Sequence, residues 1–119
     1  MHPVKNDGVY VFASVPWDFN VGALMPVATI REQEGITVVV EESRAREAHL
    51  TVLFRAAWIT LNVHSDLHAV GLTAAFAAAL AQANIGCNVV AGAFHDHIFV
   101  EVESGEIALA TLRALQARS

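Results

Sequence analysis

The feature of this sequence that most restricts its fold is a stretch between residues 69 and 94 that contains no Asp, Glu, Lys or Arg. Such a stretch belongs either in a membrane or in a protein core. Its uninterrupted apolar part is about a dozen residues long, too short for a membrane span, and no Lys or Arg flanks it as an anchor. Gln82, Asn84 and Asn88 interrupt the remainder. We therefore predict a buried helix and no membrane association.

The second half of the chain shows a regular order of strand and helix patterns. Apolar and polar residues alternate over residues 58–64, which predicts a half-buried strand. Ser65 or Asp66 can then cap a helix over residues 67–83, rich in small side chains. Strands are predicted over 85–91 and 97–103, and Ser104 caps a last helix with one apolar stripe, formed by Ala108, Leu109, Leu112 and Leu115. One strand from elsewhere in the chain would complete a βαββαβ pattern.

The first half resembles a cruder copy of this order. Strands are predicted over residues 8–15, 27–31, 36–41 and 50–54, with a short helix near residues 43–49. The leading helix is reduced to a loop or broken turn over residues 16–26, and Gly35 can supply a positive φ in a hairpin bend. The expected fold class is α+β, ferredoxin-like, with two pseudo-repeated units, antiparallel sheet and helices on one face.

Composition and charge exclude several classes of protein. Hydrophobic residues make up 55% of the 119 residues, which excludes intrinsic disorder. The net charge of −5 argues against binding to nucleic acid. The N-terminal residues contain no apolar segment of the secretory type, so we expect a cytoplasmic protein. The single cysteine, Cys87, is interpreted as a buried small residue.

Histidines supply the candidates for a metal site. His64 and His68 are four residues apart, and His95, Asp96 and His97 are consecutive. Alternation along a strand places His95 and His97 on one face and Asp96 on the other, an arrangement that disfavours a shared metal. The simpler interpretation is that His95 and Asp96 form a hairpin bend after Gly92. We expect no metal and no cofactor.

The sequence offers little support for catalysis. Ser65 and Cys87 are the candidate nucleophiles, but neither lies in a nucleophile elbow. No glycine-rich phosphate loop opens a helix. We therefore predict a protein without catalytic residues that is not an enzyme.

The junction between residues 63 and 76 is the best candidate for a binding site. A strand runs through Ser65 and Asp66 into a helix that has Gly71 in its first turns. Free backbone N–H groups and the helix dipole favour a carboxylate or phosphate at such a place. Asp66 could accept a hydrogen bond from an ammonium group. Alternatively, Asp66 only caps the helix and Gly71 only allows close packing.

This junction resembles the ACT domain, a small ligand-binding regulatory module of amino acid metabolism. The resemblance is carried by the segment VHSDLHAVGLTAAFAAALAQANIGCNVVAG. Together with YVFASVP, EQEGITVVVEE and HDHIFVE, it is similar to a group of small bacterial proteins in which two ACT-like units are fused. The resemblance implies a degenerate N-terminal unit over residues 1–55 and a second unit over residues 56–119.

The resemblance also implies where a ligand would bind. In such proteins a small effector lies where the first loop of one unit faces a strand of its neighbour. On this chain the loop positions are Asp66, His68, Ala69, Val70, Gly71 and Leu72, and the facing strand positions are Asn88, Val89 and Val90.

The leading functional hypothesis is an ACT-like sensor that binds a small molecule, an amino acid by this resemblance, and forms a homodimer. Two alternatives belong to other classes. One is a protein–protein interaction module without a ligand, which would dock through a sheet edge or the Trp17 loop. The other is a metal-dependent enzyme that uses His95, Asp96 and His97.

Overall fold

The computed structural model describes residues 2–62 and 71–118. Seven strands and three α-helices lie in the described part of the chain, with two short 3₁₀ helices. In chain order they are β1 (Pro3–Lys5), β2 (Tyr10–Val15), a 3₁₀ helix (Val21–Leu24), β3 (Ala28–Arg31), β4 (Ile36–Glu41), α1 (Glu42–Glu47), β5 (Phe54–Leu61), α2 (Gly71–Gln82), β6 (Cys87–Ala91), β7 (Asp96–Glu101), a second 3₁₀ helix (Val102–Ser104) and α3 (Gly105–Arg118).

The elements form two compact units. The N-terminal unit comprises Gly8–Ala56, and the C-terminal unit comprises Met1–Asp7 together with Ala57–Ser119. The first residues group with the C-terminal unit because β1 pairs antiparallel with β5, placing Pro3 opposite Leu61. The expected boundary after residue 55 placed these residues in the first unit, because a strand of three residues is too short to be recognised from its periodicity.

The C-terminal unit has the strand order β1-β5-β7-β6, with β1 as the strand that completes the βαββα series. This is the ferredoxin-like arrangement predicted for this half. The alternation predicted over residues 58–62 is also confirmed, because Ile59 and Leu61 are fully buried while Trp58 and Thr60 are partly exposed. Both helices cover one face of the sheet, and their apolar side chains share a single core with the strands, formed by Ala57, Ile59, Leu61, Phe76, Leu80, Ile85, Ile98, Val100, Ala108, Leu109 and Leu112.

The N-terminal unit repeats this arrangement in reduced form. Its strand order is β3-β4-β2-β5, in which residues Phe54–Ala56 of β5 pair with Tyr10–Phe12. A single 3₁₀ turn stands where the pattern has its leading helix, as predicted, and α1 has only six residues. Its core is correspondingly smaller and consists of Val11, Ala13, Val15, Leu24, Ile36, Val38, Val40 and Ala45.

Two local predictions were wrong. Residues 50–53 do not form a strand, because His49 adopts a positive φ of 57° after α1 and the Leu50 N–H donates to the Ala45 carbonyl at 2.9 Å. Gly35 does not have a positive φ. Glycine is needed there for another reason, since a Cβ atom would lie 2.6 Å from the backbone oxygen of Val15.

Candidate functional site

The structure describes part of the predicted binding site. Asp66, His68, Ala69 and Val70 lie outside the described residues. Gly71 and Leu72 are the first residues of α2, and Asn88, Val89 and Val90 lie on β6.

The first turn of α2 combines an open surface with a firm anchor. Gly71 is exposed, and a Cβ atom added there would meet no described atom within 4 Å. Leu72 packs against the core. Phe76 and Leu80, one helical turn apart, are fully buried on the face of α2 that contacts the core. The helix is therefore held by its apolar face, and Gly71 lies on its exposed side.

Strand β6 lies at one edge of the C-terminal unit's sheet. Its inner neighbour is β7, with Asn88 opposite Phe99 and Val90 opposite His97. Asn88 and Val90 are exposed, whereas Val89 packs against the core. Among the described strands none pairs with the outer edge of β6, so its outward N–H and C=O groups can bind another strand.

The His95–Asp96–His97 segment does not gather its three side chains. Asp96 is buried, and strand alternation places it on the opposite face of the sheet from His97. Within residues 2–62 and 71–118, no group of three or more His, Cys, Asp or Glu residues could hold a metal ion. The hairpin is closed by the Gly92 N–H, which donates to the His95 carbonyl at 2.8 Å. His95 therefore lies in the bend as predicted, whereas Asp96 and His97 are the first residues of β7, with Asp96 paired to Ala91.

The His97 side chain lies on the face of the sheet opposite the helices. Its Nδ1 accepts a hydrogen bond from Trp58 Nε1 at 3.1 Å, and Trp58 stacks on Phe99 with ring centroids 6.2 Å apart. Burial lowers the pKa of His97, and the nearby His95 lowers it further, with Asp96 acting in the opposite direction. The neutral imidazole is the form that can accept the Trp58 hydrogen bond, so burial and hydrogen bonding agree.

Cys87 carries a free thiol on β6. It is half-buried, and burial raises its pKa, which favours the protonated thiol over the reactive thiolate. Cys87 packs against the core of the C-terminal unit, which agrees with the packing role expected from the sequence.

The sequence did not single out a cleft in the N-terminal unit. It lies between the Val21–Leu24 turn and α1, and its charged lining residues are Arg44 and Glu47. The sequence predicts only a loop or broken turn over residues 16–26, which supply four of the lining residues. The only feature of the sequence that indicates this cleft is the spacing of Arg44 and Glu47. These opposite charges are three residues apart, which places both side chains on one helix face.

Both halves of the chain match models of a known protein family. Residues 1–57 and residues 54–114 each match a family model described as an ACT domain. The chain belongs to the ACT domain family. The two ACT regions overlap at residues 54–57, within β5, the strand that contributes residues to both units. The resemblance seen in the sequence is thereby confirmed, as is the tandem ferredoxin-like fold.

Solved structures with the same fold differ widely in their sequence identity to this chain. A Vibrio cholerae protein of unknown function, described as a possible transport protein, is 45% identical; the match covers 96% of this chain and 88% of that one, with a TM-score of 0.87. An Agrobacterium tumefaciens protein is 18% identical over 96% and 87% of the two chains, with a TM-score of 0.72. The regulatory subunit of aspartate kinase from Thermus flavus is 12% identical over 97% of each chain, with a TM-score of 0.64. The latter two show a shared fold. No curated protein matches the sequence significantly.

No helix in the described ranges is long and apolar enough to span a membrane. The longest uncharged segment instead contributes α2, whose buried residues belong to the core.

Proposed function

We propose that this ACT protein is a non-enzymatic regulator that senses a free amino acid. The observation that carries the proposal is the pair of ACT matches that together span residues 1–114. ACT domains have a general ligand-binding regulatory role, and the regulatory subunit of an aspartate kinase has the same tandem fold.

The proposed ligand site is the junction that leads into α2. The ligand carboxylate would bind at the N-terminal end of this 12-residue helix, where backbone N–H groups and the helix dipole favour a negative charge. Asp66 would accept a hydrogen bond from the ammonium group. Gly71 supports the proposal because no described atom lies within 4 Å of a Cβ atom added there, so the described residues leave room for a ligand against the backbone.

A second copy of the chain would complete this site. In the proposed homodimer, Asn88, Val89 and Val90 of one protomer face residues 66–72 of the other. The exposure of Asn88 and Val90 on an edge strand supports this assignment. Ligand bound between two protomers would favour the dimer arrangement that presents both surfaces over an arrangement that does not. This difference in ligand affinity between the two arrangements would transmit the signal to a partner.

Thermal unfolding against each of the proteinogenic amino acids tests the proposal. An amino acid present at about a hundred times its Kd stabilises the folded state by about 2.7 kcal/mol, provided that it binds the folded state alone. We expect one amino acid, or a few of similar chemistry, to raise the Tm. A flat response across the whole set would overturn the sensor function.

Two glycine variants locate the site. Gly71→Leu should abolish binding because its side chain fills the ligand's space, and Gly86→Leu is the matched control. Both glycines are exposed, neither has a positive φ, and an added Cβ meets no described atom within 4 Å at either position. Both variants should fold. Equal ligand affinity in Gly71→Leu and the parent protein would refute the site even if an amino acid binds elsewhere.

A further inference from the structure

The N-terminal unit contains a cleft that the proposed site does not use. Its volume is about 360 Å³, at the lower end of the range of small-molecule pockets. It exists because the leading helix of this unit is reduced to one 3₁₀ turn and α1 has only six residues, so the two helical segments leave a gap between them. The lining residues are Phe19, Asn20, Ala23, Leu24, Arg44, Glu47 and Ala48.

Two opposite charges at the cleft have no ionic partner in the described part of the chain. On α1, Glu42 binds both available neighbours, with Arg55 Nε at 2.5 Å and Arg46 at 3.5 Å. Arg44 and Glu47 form no ion pair or side-chain hydrogen bond with each other or with any other described residue. They are three residues apart, which places their Cβ atoms about 5–6 Å from each other on one helix face.

The rest of the lining is mostly apolar. Leu24 is buried in the core of the unit, and Phe19 and Ala48 pack against that core while still lining the cleft. The cleft thus offers an apolar surface beside one cation and one anion. Arg44 is half-buried and Glu47 is exposed, so both charged groups are available to a ligand that carries a carboxylate and an ammonium group.

We propose that this cleft is a second binding site, for a free α-amino acid with an apolar side chain. The ligand carboxylate binds the Arg44 guanidinium, the ammonium group binds the Glu47 carboxylate, and the side chain lies on Phe19, Leu24 and Ala48. The two charged groups of an α-amino acid are attached to one carbon atom, which suits the short separation of Arg44 and Glu47. This site lies within one unit and needs no second copy of the chain.

Two-dimensional amide NMR on the full chain tests this site directly. L-Valine, L-leucine, L-methionine and L-phenylalanine are titrated singly into the ¹⁵N-labelled protein. We expect at least one of them to shift the amide signals of Ala23, Leu24 and Ala48 in a saturable manner. The des-amino and descarboxy analogues of that amino acid should bind at least about tenfold more weakly, the loss expected when a charge-assisted hydrogen bond is removed.

Charge-removing variants provide the decisive comparison. Arg44→Met and Glu47→Gln should each weaken binding at least about tenfold. Arg113→Met and Glu34→Gln are matched controls, since both residues are exposed and lie away from the cleft lining, and they should leave the Kd unchanged.

Three outcomes would overturn the proposed cleft site. Unchanged affinity in both Arg44→Met and Glu47→Gln refutes the assigned contacts. The absence of shifts at the cleft with all four amino acids refutes the site. Shifts confined to Gly71 and β6 also refute it, while supporting the separate site at the start of α2.

Discussion

Replacing Gly35 by alanine tests the close contact between the β3–β4 hairpin and β2. A Cβ atom at this position would lie 2.6 Å from the Val15 carbonyl oxygen. Ordinary C–H···O contacts are about 3.3–3.6 Å long, so the two groups must separate by about 0.8 Å. The obstructing atom belongs to the backbone, and Val15 is paired with Ile36, the residue next to Gly35. Relief of the clash therefore requires a strand to move.

The expected cost follows from this constraint. Overpacking that shifts backbone costs about 1–3 kcal/mol. For a chain of this length, 1 kcal/mol changes the Tm by about 4 °C, so Gly35→Ala should lower the Tm by about 4–12 °C. Circular dichroism during heating measures this change, and urea unfolding gives the corresponding change in free energy of unfolding.

Gly22→Ala is the control in the same unit. An added Cβ there meets Asn20 Oδ1 at 3.5 Å, an ordinary contact, and Gly22 has no positive φ. This variant should unfold at the parent Tm or slightly above it, because alanine reduces the entropy of the unfolded chain. If Gly35→Ala is as stable as Gly22→Ala, the close approach of Val15 does not explain the glycine, and our reasoning is refuted.

Three further predictions concern the C-terminal unit. Leu112→Ala removes a fully buried side chain from the core between α3 and the sheet and should cost about 2–5 kcal/mol in urea unfolding; a loss below about 1 kcal/mol would contradict the assigned core. The pKa of His97 is lowered in the folded state, so the unfolded chain binds a proton at this residue more readily. The contribution of His97 to the free energy of unfolding is therefore complete above the ordinary pKa of 6.5. It is lost as the pH falls below that value. Urea unfolding at about pH 7.5 and about pH 5.5 should show this loss, and His97→Gln should reduce it; an identical pH dependence in the variant would show that other groups are responsible. The raised pKa of Cys87 predicts alkylation by iodoacetamide more slowly than free cysteine at mildly alkaline pH, and a faster reaction would contradict its half-buried position.

Much of the fold could be predicted because its elements follow local periodicity. Strand β4 begins at Ile36 and ends at Glu41, as its β-branched run indicates. The apolar stripe of α3 is confirmed, since Ala108 and Leu112 are fully buried and Leu109 nearly so. In α3 the buried side chains repeat with the period of a helix, and in β4 a short run of β-branched residues is itself typical of a buried strand. Both features are visible in the residues themselves.

The candidate site was predicted less completely. The resemblance implied that Asn88, Val89 and Val90 are the strand positions facing a ligand. The structure shows Asn88 and Val90 exposed on an edge strand and Val89 packed against the core. The roles of Asp66 and His68 stay predictions, because these residues lie outside the described part of the chain. The cleft beside Arg44 was missed because it arises where two segments distant in sequence approach each other, and no local pattern records that approach.

The sequence by itself determined the strands and helices, the inward faces of most of them and the tandem repetition of one fold. These properties depend on neighbouring residues along the chain, which share a face at a fixed period. Only the tertiary structure decided that β1 completes the C-terminal unit by pairing with β5, that Gly35 is required by the Val15 carbonyl, and that Arg44 lines a cleft. Each of these depends on a contact between distant segments, and such contacts are set by the path of the whole chain.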